Sequence, residues 1–333
     1  MTQSRSNRPR TLRYIARLSA VMLPSAMAIT LTGSAVYAAD EPGRDSPREI
    51  TDSIAAVAPY QDSVISVPIE DGEAEKTFGE VKVRVPIDPK SPISLGTIED
   101  PESTLTITLP TQVDVSLAKA TDDGTLVYSA TDDGSAIGVQ IIDDGSVQIQ
   151  TVIPDADAPT RYTYKIELPA GSSARTENDG SVSFINSGGV WLGGATAPRA
   201  KDADGDDVPT WFTVTSKGLT QVVDTSNVTL FPVVTAPHLG ITMISKITYS
   251  KSKQGTTVHV SPSIWGRAHG INRTTVNSFK SEYKAKVSSE HNTTQMIWQL
   301  NCHAQFAPSK TSWNLDSWIH RESYMQYIIN RCN

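Results

Sequence analysis

Between Thr121 and Ile149 the chain repeats one punctuation mark three times, and few folds accommodate it. Thr121-Asp122-Asp123-Gly124 precedes Leu126-Val127-Tyr128, and Thr131-Asp132-Asp133-Gly134 precedes Ala136-Ile137-Gly138-Val139. Asp143-Asp144-Gly145 then precedes Val147-Gln148-Ile149. Asp-Gly accepts the positive φ angles of type I′ turns, so each unit reads as a hairpin tip between short strands. Asn178-Asp179-Gly180 repeats the device. The expected product is an antiparallel meander, since three short units are few for a solenoid.

The flanking sequence agrees. Val81-Lys82-Val83-Arg84-Val85 and Leu105-Thr106-Ile107-Thr108-Leu109 alternate apolar with polar residues, as half-buried strands do. Further strands are expected over 162–168, 181–185, 210–216, 219–223 and 229–234, making 76–239 an all-β region. Asp202-Ala203-Asp204-Gly205-Asp206-Asp207 resembles a calcium loop, but position six is Asp207 and position twelve is Thr213, where an EF-hand needs Gly and Glu. It reads as another hairpin tip, and no metal site is expected. Residues 39–75, rich in Asp, Glu, Pro and Ser, read as a disordered or linker arm with one apolar interruption at 53–57.

The first residues carry Arg5, Arg8, Arg10, Arg13 and Arg17, with no acidic residue before Asp40. An apolar stretch over 18–31 follows, then Gly33-Ser34-Ala35 and Val36-Tyr37-Ala38. This is the layout of a secretory signal peptide, residues 1–38, cleaved after Ala38. A spanning helix needs about 20 apolar residues, and Pro24 and Ser25 interrupt a shorter run. The expected location is secreted or extracellular, with no transmembrane segment left after cleavage.

Charge is unevenly placed. Residues 39–240 hold 13 basic and 32 acidic side chains, whereas residues 241–333 hold 11 basic and 4 acidic. Many Asp residues of the acidic part sit beside or close to Gly, where they build turns. The basic part asks for a partner: an anionic cell-envelope polymer or another protein, the acidic region of the same chain included. No nucleic-acid partner and no cofactor is expected. Residues 240–333 read as a small α+β domain: two strands over 241–249 and 256–260, a helix from a Thr274 cap to about Ser288, a second over 293–303 and a short third over 324–329. The first helix places Val276, Phe279, Tyr283 and Val287 on one stripe and Lys280, Lys284 and Lys286 on the other face.

Cys302 and Cys332 are the only cysteines. An even count in an exported protein points to a disulfide, worth roughly 3–4 kcal/mol by loop entropy. Between them lies Lys310-Thr311-Ser312-Trp313-Asn314-Leu315-Asp316-Ser317-Trp318, then His320 and Arg321. The order Cys302-His303, Lys310, Trp313 to Trp318, Cys332-Asn333, with Gln299 and Val260 to Arg267 upstream, resembles the signature of a secreted actinobacterial family known as a domain of unknown function (number 2599). The resemblance covers roughly 239–333. Asp316-Ser317 and Ile319-His320 stand where the family pattern has Glu-Pro and Arg-Pro. It implies secretion and a disulfide, and no activity.

Two functions are carried forward. The first is a secreted or cell-envelope protein working as a non-enzymatic binding or interaction module, with Trp313, Trp318, Arg321, Lys280 and Lys284 as contact residues. Buried indoles more often pack a core, so the tryptophans serve either role. The alternative is a secreted hydrolase or nuclease-like effector using His303, His320, Asp316 and Lys310 as acid–base and phosphate-stabilising groups. No His-Glu-x-x-His, Gly-x-Ser-x-Gly or paired zinc-ligand spacing supports it. Convergence of those four residues in a cleft favours an enzyme; their dispersal favours a module.

Overall fold

The computed structural model describes residues 47–100, 103–130, 134–216, 218–269 and 276–333. The signal-peptide reading of residues 1–38, the start of the second Asp-Gly tip and the Thr274 cap fall outside the described residues. Among the described residues, alternating hydrophobicity yields 22 strands, arranged as sheets of 11, 8 and 3 strands. The pairings are antiparallel. The repeat forms a meander: Lys119–Ala120, Leu126–Ser129, Ala136–Ile142 and Val147–Ile153 are successive neighbours in the largest sheet.

The tips use a different turn from the one expected. Gly124, Gly145 and Gly180 have φ of 89°, 81° and 84°, while the Asp before each lies outside the positive-φ region. Gly124 N–H donates to Thr121 and Thr121 N–H to Thr125, and the same pair of bonds recurs around Gly145 and Gly180. This is a type I turn closed by a glycine bulge, in which only the last position is left-handed. Asp123, Asp144 and Asp179 each accept the N–H two residues on at 3.0 Å. Asp202 accepts those of Asp204 and Asp206. Much of the acidic charge is therefore turn chemistry.

The two large sheets share one core. Val83, Leu95 and Ile107 from the 8-stranded sheet meet Val139, Ile149 and Phe184 from the 11-stranded one. The strand expected over 229–234 is displaced to Val233–Thr235, because Pro232 has no N–H for the ladder.

The expected arm is the main correction. Residues 47–57 form helix α1 (Pro47–Val57), residues 64–65 pair with Ile141–Ile142, and Ile69–Glu70 pairs with Glu73–Ala74. Ile50, Ile54, Val57 and Ala58 repeat at helical spacing, and they pack on Val127, Ala136, Val152 and Val234. Burying Ile50 and Ile54 contributes roughly 1.5–3 kcal/mol each, enough to order a segment whose average composition looks polar. The helix covers Ala136, Gly138 and Val152 on two strands, Ala136–Ile142 and Val147–Ile153, in which every residue is buried. A β-carbon at Gly138 would lie 2.5 Å from Ile54 Cδ1, so a side chain there would force the buried Ile54 side chain to shift. Beside it, Gln61, Thr125, Gln140 and Gln150 bond to one another in a buried polar row.

The large sheet ends at His238–Gly240, which pairs with Val147–Gln148 and Gly194–Ala195. The small sheet begins at Ile244 and holds Ile244–Lys251, Thr256–Pro262 and Trp313–Asp316 in that order. Four helices accompany it: α2 (Ile264–His269), α3 (Val276–Lys286), α4 (Thr294–Phe306) and α5 (Tyr324–Ile329). Thr293 caps α4 by accepting Met296 N–H. No helix among the described residues is long and apolar enough to cross a membrane.

Candidate functional site

Alternation sorts the small sheet into two faces. Val258, Val260, Trp313 and Leu315 point inward against Phe279 and Tyr283 of α3 and Met296, Leu300 and Ala304 of α4. Trp313 is fully buried and donates its indole N–H to the Ala307 carbonyl at 3.0 Å. It is a core residue, closed to a ligand, because the strand period turns it toward the helices. Trp318 is half-buried and lies against the hairpin tip at Gly255.

The four acid–base candidates do not converge. His303 is buried on α4 and donates Nε2–H to the Asn314 carbonyl at 3.1 Å; burial lowers its pKa, partly offset by that hydrogen bond. Asp316 turns its carboxylate to the opposite face, where it accepts the Thr257 hydroxyl at 2.7 Å. The Asp316 backbone is gripped on both sides by buried Gln299, at 2.8 and 3.0 Å. Lys310 and His320 are exposed, and no hydrogen bond joins any two of the four among the described residues. Inward or outward placement along one strand decides this, since His303 sits beneath the sheet and Asp316 side-chain atoms above it.

Of the contact candidates, Lys284 is exposed and Lys280 half-buried. Their expected companion Lys286 is taken up internally. It pairs with Glu282 at 2.9 Å and donates to the Ile244 carbonyl at 2.7 Å. Glu282 in turn accepts the N–H groups of Met243 and Ile244 and the Thr242 hydroxyl. Arg321 donates to the Asn333 carbonyl at 3.0 Å. Cys302 and Cys332 are joined with Cα atoms 5.3 Å apart, packing against Tyr327 and tying the chain end to α4.

The outward face carries a row that sequence reasoning missed. On three adjacent strands, Ser250 Oγ lies 2.8 Å from His259 Nε2, and His259 Nδ1 lies 2.9 Å from Asn314 Oδ1. Ser312 also donates to that Asn314 oxygen, at 3.4 Å. The available signal was the register: Thr248, His259 and Asn314 are cross-strand partners, so polar residues at alternate positions of each strand share a face. Along the edge strand, Lys246 joins them, and Lys251 and Lys253 follow at the hairpin tip, all exposed.

The small sheet is bolted to the sandwich through buried aromatics and one carboxylate. Trp191 belongs to the C-terminal core, 5.2 Å from Trp265, which stacks on His269 at 3.8 Å. Asp144, on a hairpin tip of the large sheet, is buried and accepts Ile264 N–H at the start of α2 at 2.7 Å. Its neighbour Ser146 bonds His238 Nε2 at 2.7 Å. Burial pushes the His238 pKa down to about 4, against the opposing pull of Asp144.

Residues 244–333 match the model of a family described as Protein of unknown function (DUF2599). The match starts at the first residue of the edge strand and spans the small sheet, α2 to α5 and the disulfide. No curated protein matches the chain.

Proposed function

We propose that the protein is exported, is cleaved after Ala38, and uses its C-terminal region as a binding module for an anionic partner at the cell envelope. The observation that carries this reading is the edge hairpin. From Ile244 to Pro262 there is no Asp or Glu, and Lys246, Lys251 and Lys253 are exposed there. None of the three forms an ion pair among the described residues. Lysine on an edge strand also deters edge-to-edge pairing; three on one acid-free hairpin make a concentrated field as well. The Cys302–Cys332 bridge suits an oxidising compartment, and the family resemblance adds an actinobacterial source. Dispersal of His303, Lys310, Asp316 and His320 supports binding over a hydrolase built on them.

The test is co-sedimentation of the full chain from Ala39 with isolated cell envelopes at low and high salt. Binding that weakens with salt, and that drops at least tenfold when Lys246, Lys251 and Lys253 are changed to Glu, supports the reading. Binding that is absent, or indifferent to the triple substitution, overturns it. Intact mass of the protein recovered outside the cells checks export, with Ala39 expected first.

A further inference from the structure

We propose that Ser250 is an acylable nucleophile, with His259 as its base and Asn314 as the residue that orients the base, acting on carboxylic esters that reach this open sheet face. The inference goes beyond anion binding and does not depend on it. A nucleophile needs a base within hydrogen-bond reach, and that base needs a third group to orient it. All three are present at 2.8 and 2.9 Å, and an amide serves as the third member in Cys-His-Asn sites.

Proton positions agree with the assignment. An amide oxygen only accepts, so His259 Nδ1 carries the proton donated to Asn314 Oδ1. The tautomer leaves Nε2 unprotonated and facing Ser250, which is the polarity a general base requires.

Backbone geometry supplies an oxyanion donor. Thr256 turns its N–H and carbonyl toward Ser317, at 2.9 Å each. Its cross-strand partner Lys251 therefore directs its own N–H outward, by the alternation of an antiparallel ladder. The strand is an edge of its sheet, so that N–H is open. The N–H following the nucleophile is the donor that stabilises a tetrahedral oxyanion in hydrolases of other folds.

The chemistry balances with water as the only co-reactant. Ser250 Oγ bonds to the ester carbonyl carbon while its proton passes to His259 Nε2. The tetrahedral adduct collapses, the C–O bond to the alcohol breaks, and His259 returns the proton to the departing alkoxide. Water, deprotonated by His259, then releases the carboxylic acid and restores Ser250.

The experiment treats the folded full chain with a fluorophosphonate and maps the adduct by peptide mass. Attack of Ser250 Oγ on phosphorus expels fluoride, and the hydroxyl proton passes to His259. One adduct at Ser250 is expected, lost in Ser250→Ala and slowed about a hundredfold in His259→Ala. Asn314→Leu is expected to slow labelling as well, whereas Asn314→Asp, which can only accept, keeps or raises the rate. All three side chains lie on the outward sheet face, Ser250 and Asn314 exposed and His259 half-buried, and unchanged thermal melts show that folding is preserved. No adduct at Ser250, an adduct spread over Ser252 and Ser261, or a rate indifferent to His259→Ala overturns the proposal.

Discussion

Acid should loosen the junction through one enclosed imidazole. His238 is 1% exposed; its Nε2 bonds Ser146, its Nδ1 has no protein partner, and its ring lies 5.4 Å from that of Tyr60. Burial lowers its pKa from 6.5 to about 4, with Asp144 opposing and His269 and Arg267 reinforcing. The unfolded chain therefore binds the proton more readily than the folded one between those values. Stability is fully present above the unfolded value near 6.5 and falls as the pH drops toward 4. At about 1.4 kcal/mol per unit, the full loss is about 3 kcal/mol, and about 2 kcal/mol is gone by pH 5. Urea unfolding at pH 7 and pH 5 measures it in the natural chain and in His238→Gln, which cannot titrate. His303, whose pKa burial also lowers, acts alike in both chains and cancels in the difference. The natural chain should lose about 2 kcal/mol more than the variant between the two pH values. Equal losses would refute the assignment of the acid-sensitive proton to His238.

Three further perturbations test the packing. Gly138→Ala puts a methyl group against Ile54 Cδ1 and Gln150 Oε1; overpacking there should cost roughly 1–3 kcal/mol, read as a lower melting temperature with α1 loosened in hydrogen exchange. Glu282→Ala removes the acceptor of two backbone N–H groups and the partner of Lys286, and leaving these groups unpaired should cost about 1–3 kcal/mol in urea unfolding. Reducing Cys302–Cys332 opens a loop of 30 residues. It should cost about 3–4 kcal/mol, seen as a lower denaturant midpoint with reductant than without.

Local chemistry was enough for much of this molecule. Strand alternation and the Asp-Gly spacing implied an antiparallel meander because both are properties of neighbouring residues, and the meander formed. The stripe of Val276, Phe279, Tyr283 and Val287 announced α3 for the same reason. The two cysteines, being the only pair, announced their bridge. Local chemistry also held a signal that averaging hid: Ile50, Ile54, Val57 and Ala58 carry a helical period inside a segment judged by composition. Other features belong to contacts between distant strands. Trp313 and Asn314 are adjacent in sequence, yet the pleat sends one into the core and the other beside His259, 55 positions away. His303 and Asp316 look like partners in the chain and end on opposite faces of one strand. The Ser250–His259–Asn314 row depends on the register of three strands, and that register is decided by which apolar side chains α3 and α4 cover.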